Sequence, residues 1–191
     1  MPITSFETIK QNLLSKLKGL DPRLSYHNID HTLDVLRQAE RIAKDEDITN
    51  ERERYLLKIA AVYHDVGFLR TYEGHEEESC DIFIRDAREF DLTEGEVAIV
   101  QGLIMATKLT NEPHTQLEKI LRDADLDYLG RRDFDEISRR LKLELLQFGF
   151  IADENEWDAR QLAFLKKHHY HTRSSKAMRG PGKQKNYLAL V

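Results

Sequence analysis

The chain has 191 residues, 40% of them hydrophobic and 33% charged, a globular composition and not a disordered one. The net charge of −5 hides an asymmetry: Arg160 to Val191 holds eight basic residues and no acid, so the first 159 residues carry −13. No apolar run approaches the roughly 20 residues of a membrane helix, and a lone cysteine, Cys80, excludes an internal disulfide framework and a Cys-rich zinc site.

The opening Met1 to Glu7 shows no basic and apolar leader pattern, so a reducing cytoplasm is the expected compartment. Thr4-Ser5-Phe6-Glu7 reads as a capping box before Ile9, Leu13, Leu14 and Leu17, and Gly19 and Pro22 end that helix. A second helix starts near Asn28, and a third runs from about Asn50 to His64 and closes at Gly67. A fourth spans about Gly74 to Phe90, and Thr93 to Glu96 caps a fifth. Pro113 marks the start of a sixth that ends at Gly130. Phe134 to Leu146 and Trp157 to Leu165 give two more. Beyond Gly180-Pro181-Gly182 only a short docked turn, Tyr187 to Val191, is expected. No stretch shows sustained period-2 alternation, so the fold expected is an all-α, single-domain bundle of seven to eight helices. Its bounds would be residues 1–172, with 173–191 as a basic tail docked on the bundle.

The chemistry lies in histidines and aspartates. His27 and His31, in Tyr26-His27-Asn28-Ile29-Asp30-His31, are four apart and share a face if the helix already includes His27. His64-Asp65 ends a small, apolar helix with two strong metal ligands, where the helix C-terminus also favours a cation. Asp123, Asp125 and Asp127 follow at spacings of two. Imidazole and carboxylate together suit a divalent cation such as Mn²⁺, Mg²⁺, Fe²⁺, Ni²⁺ or Zn²⁺, which can lower the pKa of a bound water.

The order His31, His64-Asp65, Asp125 resembles the signature of the HD-domain superfamily of metal-dependent phosphohydrolases, over about residues 24 to 130. That resemblance implies an all-α bundle with the metal site at its centre, held by His31, His64, Asp65 and Asp125. Ala124-Asp125-Leu126 resembles the family's closing motif and favours Asp125, with Asp123 as the alternative. The Tyr-His-Asn-x-x-His segment is also similar to that of class I cyclic-nucleotide phosphodiesterases, which implies that His27 protonates the leaving oxygen. The further His of those enzymes is missing from Val66 to Leu69, so cyclic nucleotides are not the expected substrate. Asp65 is expected to orient or deprotonate the water. His75 resembles a residue of two-metal members and is expected to contact the substrate phosphate or to bind a weak second ion. The donors Arg173 and Lys176 are expected to do the same.

These features predict an enzyme acting on a phosphoester of a small metabolite or a nucleotide, cytoplasmic and independent of membranes. The rival reading is a non-catalytic metal- or nucleotide-binding sensor of the same fold. No RNA or DNA motif accompanies the basic end, which speaks against a nucleic-acid partner, and the sequence leaves the oligomeric state open. Asp123 and Asp127 are expected at the helix surface or behind the ligands, and His168 to His171 has no assigned role.

Overall fold

Ser5, not Thr4, caps the first helix: its hydroxyl accepts from the Thr8 amide at 3.2 Å. The computed structural model describes residues 4–191, and helix α1 covers Phe6–Leu17. The Met1 to Ile3 part of the expected leader-free start lies outside the described residues. Helix α2 (Ile29–Asp45) starts where Asn28 accepts from the amides of Asp30 and His31. Helix α3 (Glu51–Tyr63) follows with Asn50 in the same role. Asparagine at these positions satisfies amides that have no partner within the helix. Next come a 3₁₀ turn (Val66–Leu69), α4 (His75–Ala87) and α5 (Glu94–Met105), whose Thr93/Glu96 capping box forms as the spacing predicts.

Helix α6 (Gln116–Asp125) begins later than Pro113 suggests, because Thr115 and Glu118 build a second capping box there. A 3₁₀ turn (Asp127–Gly130), α7 (Phe134–Gln147) and α8 (Glu154–Lys167) complete the expected set. The described residues are helical throughout, with nine α-helices rather than seven or eight.

The ninth helix corrects the sequence reading. Helix α9 (Arg173–Ala189) runs through Gly180-Pro181-Gly182 instead of breaking there. An internal proline costs a helix about 3 kcal/mol, so something outside the helix must outweigh it. Gly182 lies against the Asp127–Gly130 turn so closely that a Cβ would come within 2.1 Å of the Gly130 carbonyl oxygen. The same face is tied by Arg179 to Asp127 at 2.9 Å and by Asn186 to the Leu129 carbonyl at 2.9 Å. Lys183 donates to the carbonyls of Leu165 and His168. The basic end is therefore largely a docked helix and not a solvated tail.

Two apolar cores result. The larger gathers α1 to α6 around α3, whose residues Leu56, Leu57 and Ile59 to Tyr63 are all buried. Fully burying each such aliphatic side chain contributes about 1.5–3 kcal/mol. The smaller core joins Tyr26, Leu126, Tyr128, Leu129, Phe134 and Leu165. Arg122 closes α5 from inside, donating to the carbonyls of Ala106 (2.6 Å), Lys108 and Asn111 (2.8 Å).

The Gly182 contact is testable by its sign. At an unconstrained helical position Gly182→Ala would stabilise by about 0.5–1 kcal/mol. Here overpacking should destabilise the protein by about 1–3 kcal/mol in urea unfolding, with faster tryptic cleavage at Lys183 and Lys185.

Candidate metal centre

The end of α3 delivers two donors into the space between the cores. His64 is fully buried, and its Nδ1–H donates to the Ala61 carbonyl at 2.9 Å. A carbonyl can only accept, so the proton is fixed on Nδ1 and Nε2 is left free as a ligand. Asp65 follows outside the helix, and its Oδ2 reaches His64 Nε2 at 3.1 Å and His31 Nε2 at 3.3 Å. The first turn of α2 supplies His31, and the last residue of α6 supplies Asp125. Asp125 Oδ1 lies 3.2 Å from His31 Nε2 and 3.7 Å from His64 Nε2.

These groups converge on one another rather than pairing off. The two Nε2 atoms are 3.3 Å apart, and the buried Asp65 Oδ2 has no hydrogen-bond partner among the described residues. Two ligands each about 2.0–2.2 Å from one ion lie at about these separations. Among the described residues, the group of at least three donors within mutual reach is His31, His64 and Asp65. Asp125 stands beside it and touches both imidazoles. Two carboxylates with two neutral imidazoles leave a charge of −2, which matches a divalent cation.

Electrostatics agree. Burial disfavours charge on His31, but Asp125 and Asp65 outweigh it and lift the imidazole to about 10. Burial likewise works against the Asp65 carboxylate, and His64 with His31 holds it well below the usual range. The cluster demands positive charge, and a metal ion would displace the protons that otherwise supply it.

His75 enters from the first turn of α4. Its Nδ1–H donates to the Tyr72 carbonyl at 2.9 Å, and its Nε2 lies 3.5 Å from Asp65 Oδ1, on the other side of the carboxylate from the two histidines. Gly67 allows this approach, because a Cβ there would collide with the His75 carbonyl oxygen at 2.0 Å. His27 precedes the α2 cap, outside the helix. Its ring stacks on Phe68 with centroids 4.3 Å apart, and Phe68 stacks on His75 in turn at 4.0 Å.

His27 also reveals a residue that the sequence reading missed. Its Nδ1 bonds to Glu144 of α7, a carboxylate with no exposed surface. Glu144 further accepts from the amides of Tyr26 (2.8 Å) and His27 (3.0 Å) and from the Tyr72 hydroxyl (2.7 Å). Burial raises its pKa, but the His27 bond and these donors prevail and hold it below the ordinary glutamate value of 4.5. The signal was present: Ile137, Leu141, Glu144 and Phe148 form a helical stripe with one acid on it.

The other aspartates do not join the cluster. Asp123 is fully buried and accepts from the amides of His171 (2.9 Å) and Thr172 (2.8 Å) and from the Thr172 hydroxyl (2.7 Å). It therefore holds the start of α9. Asp127, equally buried, is held by Arg41 at 2.8 Å and Arg179 at 2.9 Å. Neither is a surface carboxylate. Arg173 and Lys176 line a separate concavity with Glu46, Gln116 and Lys119, and the structure does not bring them to the cluster. His168 lies inside, with burial and Lys183 depressing its pKa to about 3.

The HD domain family model matches residues 28–127, just over half of the chain, and the chain belongs to that family. The matched span contains the whole cluster and ends at Asp127. No curated protein matches the chain. HD domains are typically metal-dependent phosphohydrolases. No described helix is long and apolar enough to cross a membrane.

Three measurements check these assignments. Asp125→Asn should reduce bound metal per chain, read by elemental analysis. Asp123→Asn should retain the metal and lower the melting temperature by releasing the start of α9. For Glu144, a folded pKa below 4.5 means that its contribution to stability is present above about pH 4.5 and lost as pH falls through the folded value. Glu144→Gln should therefore flatten the acid limb of the stability–pH curve, measured by urea midpoints.

Proposed function

We propose that this protein is a metal-dependent hydrolase of phosphoesters, acting on a phosphomonoester or phosphodiester of a small metabolite or a nucleotide. The observation that carries the reading is Asp65 Oδ2, buried and without a hydrogen bond where two imidazoles and a second carboxylate converge. His31, His64, Asp65 and Asp125 would hold a divalent cation, with Mn²⁺, Mg²⁺, Fe²⁺, Ni²⁺ and Zn²⁺ all compatible with the donors. When bound, such an ion supplies charge for a phosphoryl oxygen and acidifies water.

The chain's own residues do the rest. Asp65 lies between the cluster and His75 and is placed to orient the attacking water and accept its proton. His75 fixes one proton on Nδ1, and its Nε2 is placed to contact a phosphate oxygen. His27 is the general acid. Glu144 holds its Nδ1, which leaves Nε2 as the free nitrogen of a ring that lines the adjoining pocket. As water adds to phosphorus, the bond to the leaving oxygen breaks and that oxygen takes the proton from His27. Glu144 acts through His27 and is a positioning residue. Arg173 and Lys176 have no part in this scheme.

The test separates the acid from the ligands. His27→Ala should keep its metal and lose about 10²–10⁴-fold in rate on alkyl phosphates, whose leaving groups need protonation. A nitrophenyl ester should be slowed far less. His31→Ala should lose metal and fail on both. Metal loss in His27→Ala would make it a ligand and remove the acid from the scheme.

A further inference from the structure

The cluster opens on two sides, and the sides differ in chemistry. One is a pocket of about 390 Å³ entered past His27, Asp65 and Asp125. Its walls beyond the cluster are mostly apolar and include Phe68, Leu126, Leu129, Phe134, Trp157 and Phe164. The volume falls within the range of about 300–1,000 Å³ for pockets that enclose a small organic ligand. The other is a narrower cleft of about 160 Å³ that reaches His31 and Asp125 between Asp34, Arg37, Arg131 and Arg140.

Several polar groups on the walls of the larger pocket are already engaged within the protein, and the Tyr26 and Tyr128 hydroxyls and the Glu76 carboxylate stand among mostly apolar side chains. Gln161 accepts from the Ser138 hydroxyl, the Thr107 hydroxyl donates to the Ile104 carbonyl at 2.7 Å, and the Tyr72 hydroxyl is held by Glu144. Arg160 pairs with Glu156 at 2.6 Å. A ligand with many hydrogen-bonding edges would lose its hydration in this pocket and find few partners, a cost of the kind that gives polar sites their selectivity. An apolar body would lose only water.

We propose that the pocket receives a bulky apolar or aryl group, and that the substrate is the phosphate ester of such an alcohol or phenol. The assignment rests on the hydrolase reading for the place of the reacting phosphate. The phosphoryl group sits at the cluster, the leaving oxygen meets His27 at the pocket entrance, and the apolar body extends toward Trp157. Hydrolysis breaks the bond between phosphorus and that oxygen, the oxygen takes the His27 proton, and water supplies the new phosphate oxygen. Sugar phosphates and inorganic polyphosphates gain nothing from these walls.

Trp157 is the sole tryptophan and lines the pocket, so it reports on the site directly. The experiment titrates 3-phenylpropylphosphonate, 3-hydroxypropylphosphonate and 5′-AMP into the Mg²⁺-loaded protein while Trp157 emission is followed. The first should bind at least about 30-fold more tightly than the second and shift the emission, since apolar area is what the pocket can bury. Leu145→Glu, which puts a charge on a half-buried wall position, should abolish that preference while circular dichroism stays helical. Equal affinity for the two phosphonates, or tighter binding of 5′-AMP than of the aryl compound, would overturn the proposal. In a parallel arm 3-phenylpropyl phosphate is offered as substrate. If the aryl phosphonate binds as expected and this ester is not hydrolysed, the pocket assignment stands and the hydrolase reading falls.

Discussion

Three carboxylates within five residues, two fully buried and the third half-buried, set the terms for the rest of the molecule. An ionised carboxylate out of water must find positive charge or several hydrogen-bond donors, or it will not stay ionised. Asp123, Asp125 and Asp127 solve this in three different ways because each faces a different neighbouring element. Asp123 accepts backbone and hydroxyl donors from the start of α9. Asp127 is held by arginines from α2 and α9. Asp125 meets only the two imidazoles of the cluster, where a cation completes the balance. One short segment thus fastens the C-terminal helix and places Asp125 beside the two imidazoles.

The same segment explains how a proline-containing stretch becomes a helix. With Thr172 and Arg179 anchored by Asp123 and Asp127, the chain between them is already placed in a helical path. Gly130 and Gly182 then let the backbones touch. The intrinsic cost of Pro181 is local, whereas these contacts come from α6 and from the Asp127–Gly130 turn. The family match ends at Asp127, yet α9 packs on the turn that begins there, so the C-terminal helix braces the segment that carries Asp125.

Asymmetry around the cluster gives the site a direction. His27, Phe68 and His75 form a stacked row at the edge of an apolar pocket, while Asp34, Arg37, Arg131 and Arg140 surround the opposite cleft. Glu144 sets the orientation of the first member of that row. Its carboxylate spans α7, the segment before α2 and the loop before α4. The region that orients His27 is thereby the region that shapes the pocket.

Local chemistry was enough to read much of this from the sequence. Capping residues at Asn28, Asn50 and Thr93 and helical spacing of apolar residues marked the helices. The pairing of His64 with Asp65 at the end of an apolar helix marked the cluster, since few structural roles call for two ligands there. What spacing could not supply was direction across the fold. Asp123 and Asp125 carry the same chemistry two residues apart, and only the position of α9 assigns one to a helix start and leaves the other beside the imidazoles. Glu144 was visible as an acid on an apolar stripe, but its partner His27 lies 117 positions away in the sequence. Pro181 carries a strong local signal that was overruled by contacts with Gly130, Asp127 and Leu129. Helix starts and ligand types are decided by neighbours in the chain, whereas the partner of each buried charge is decided by whichever element packs against it.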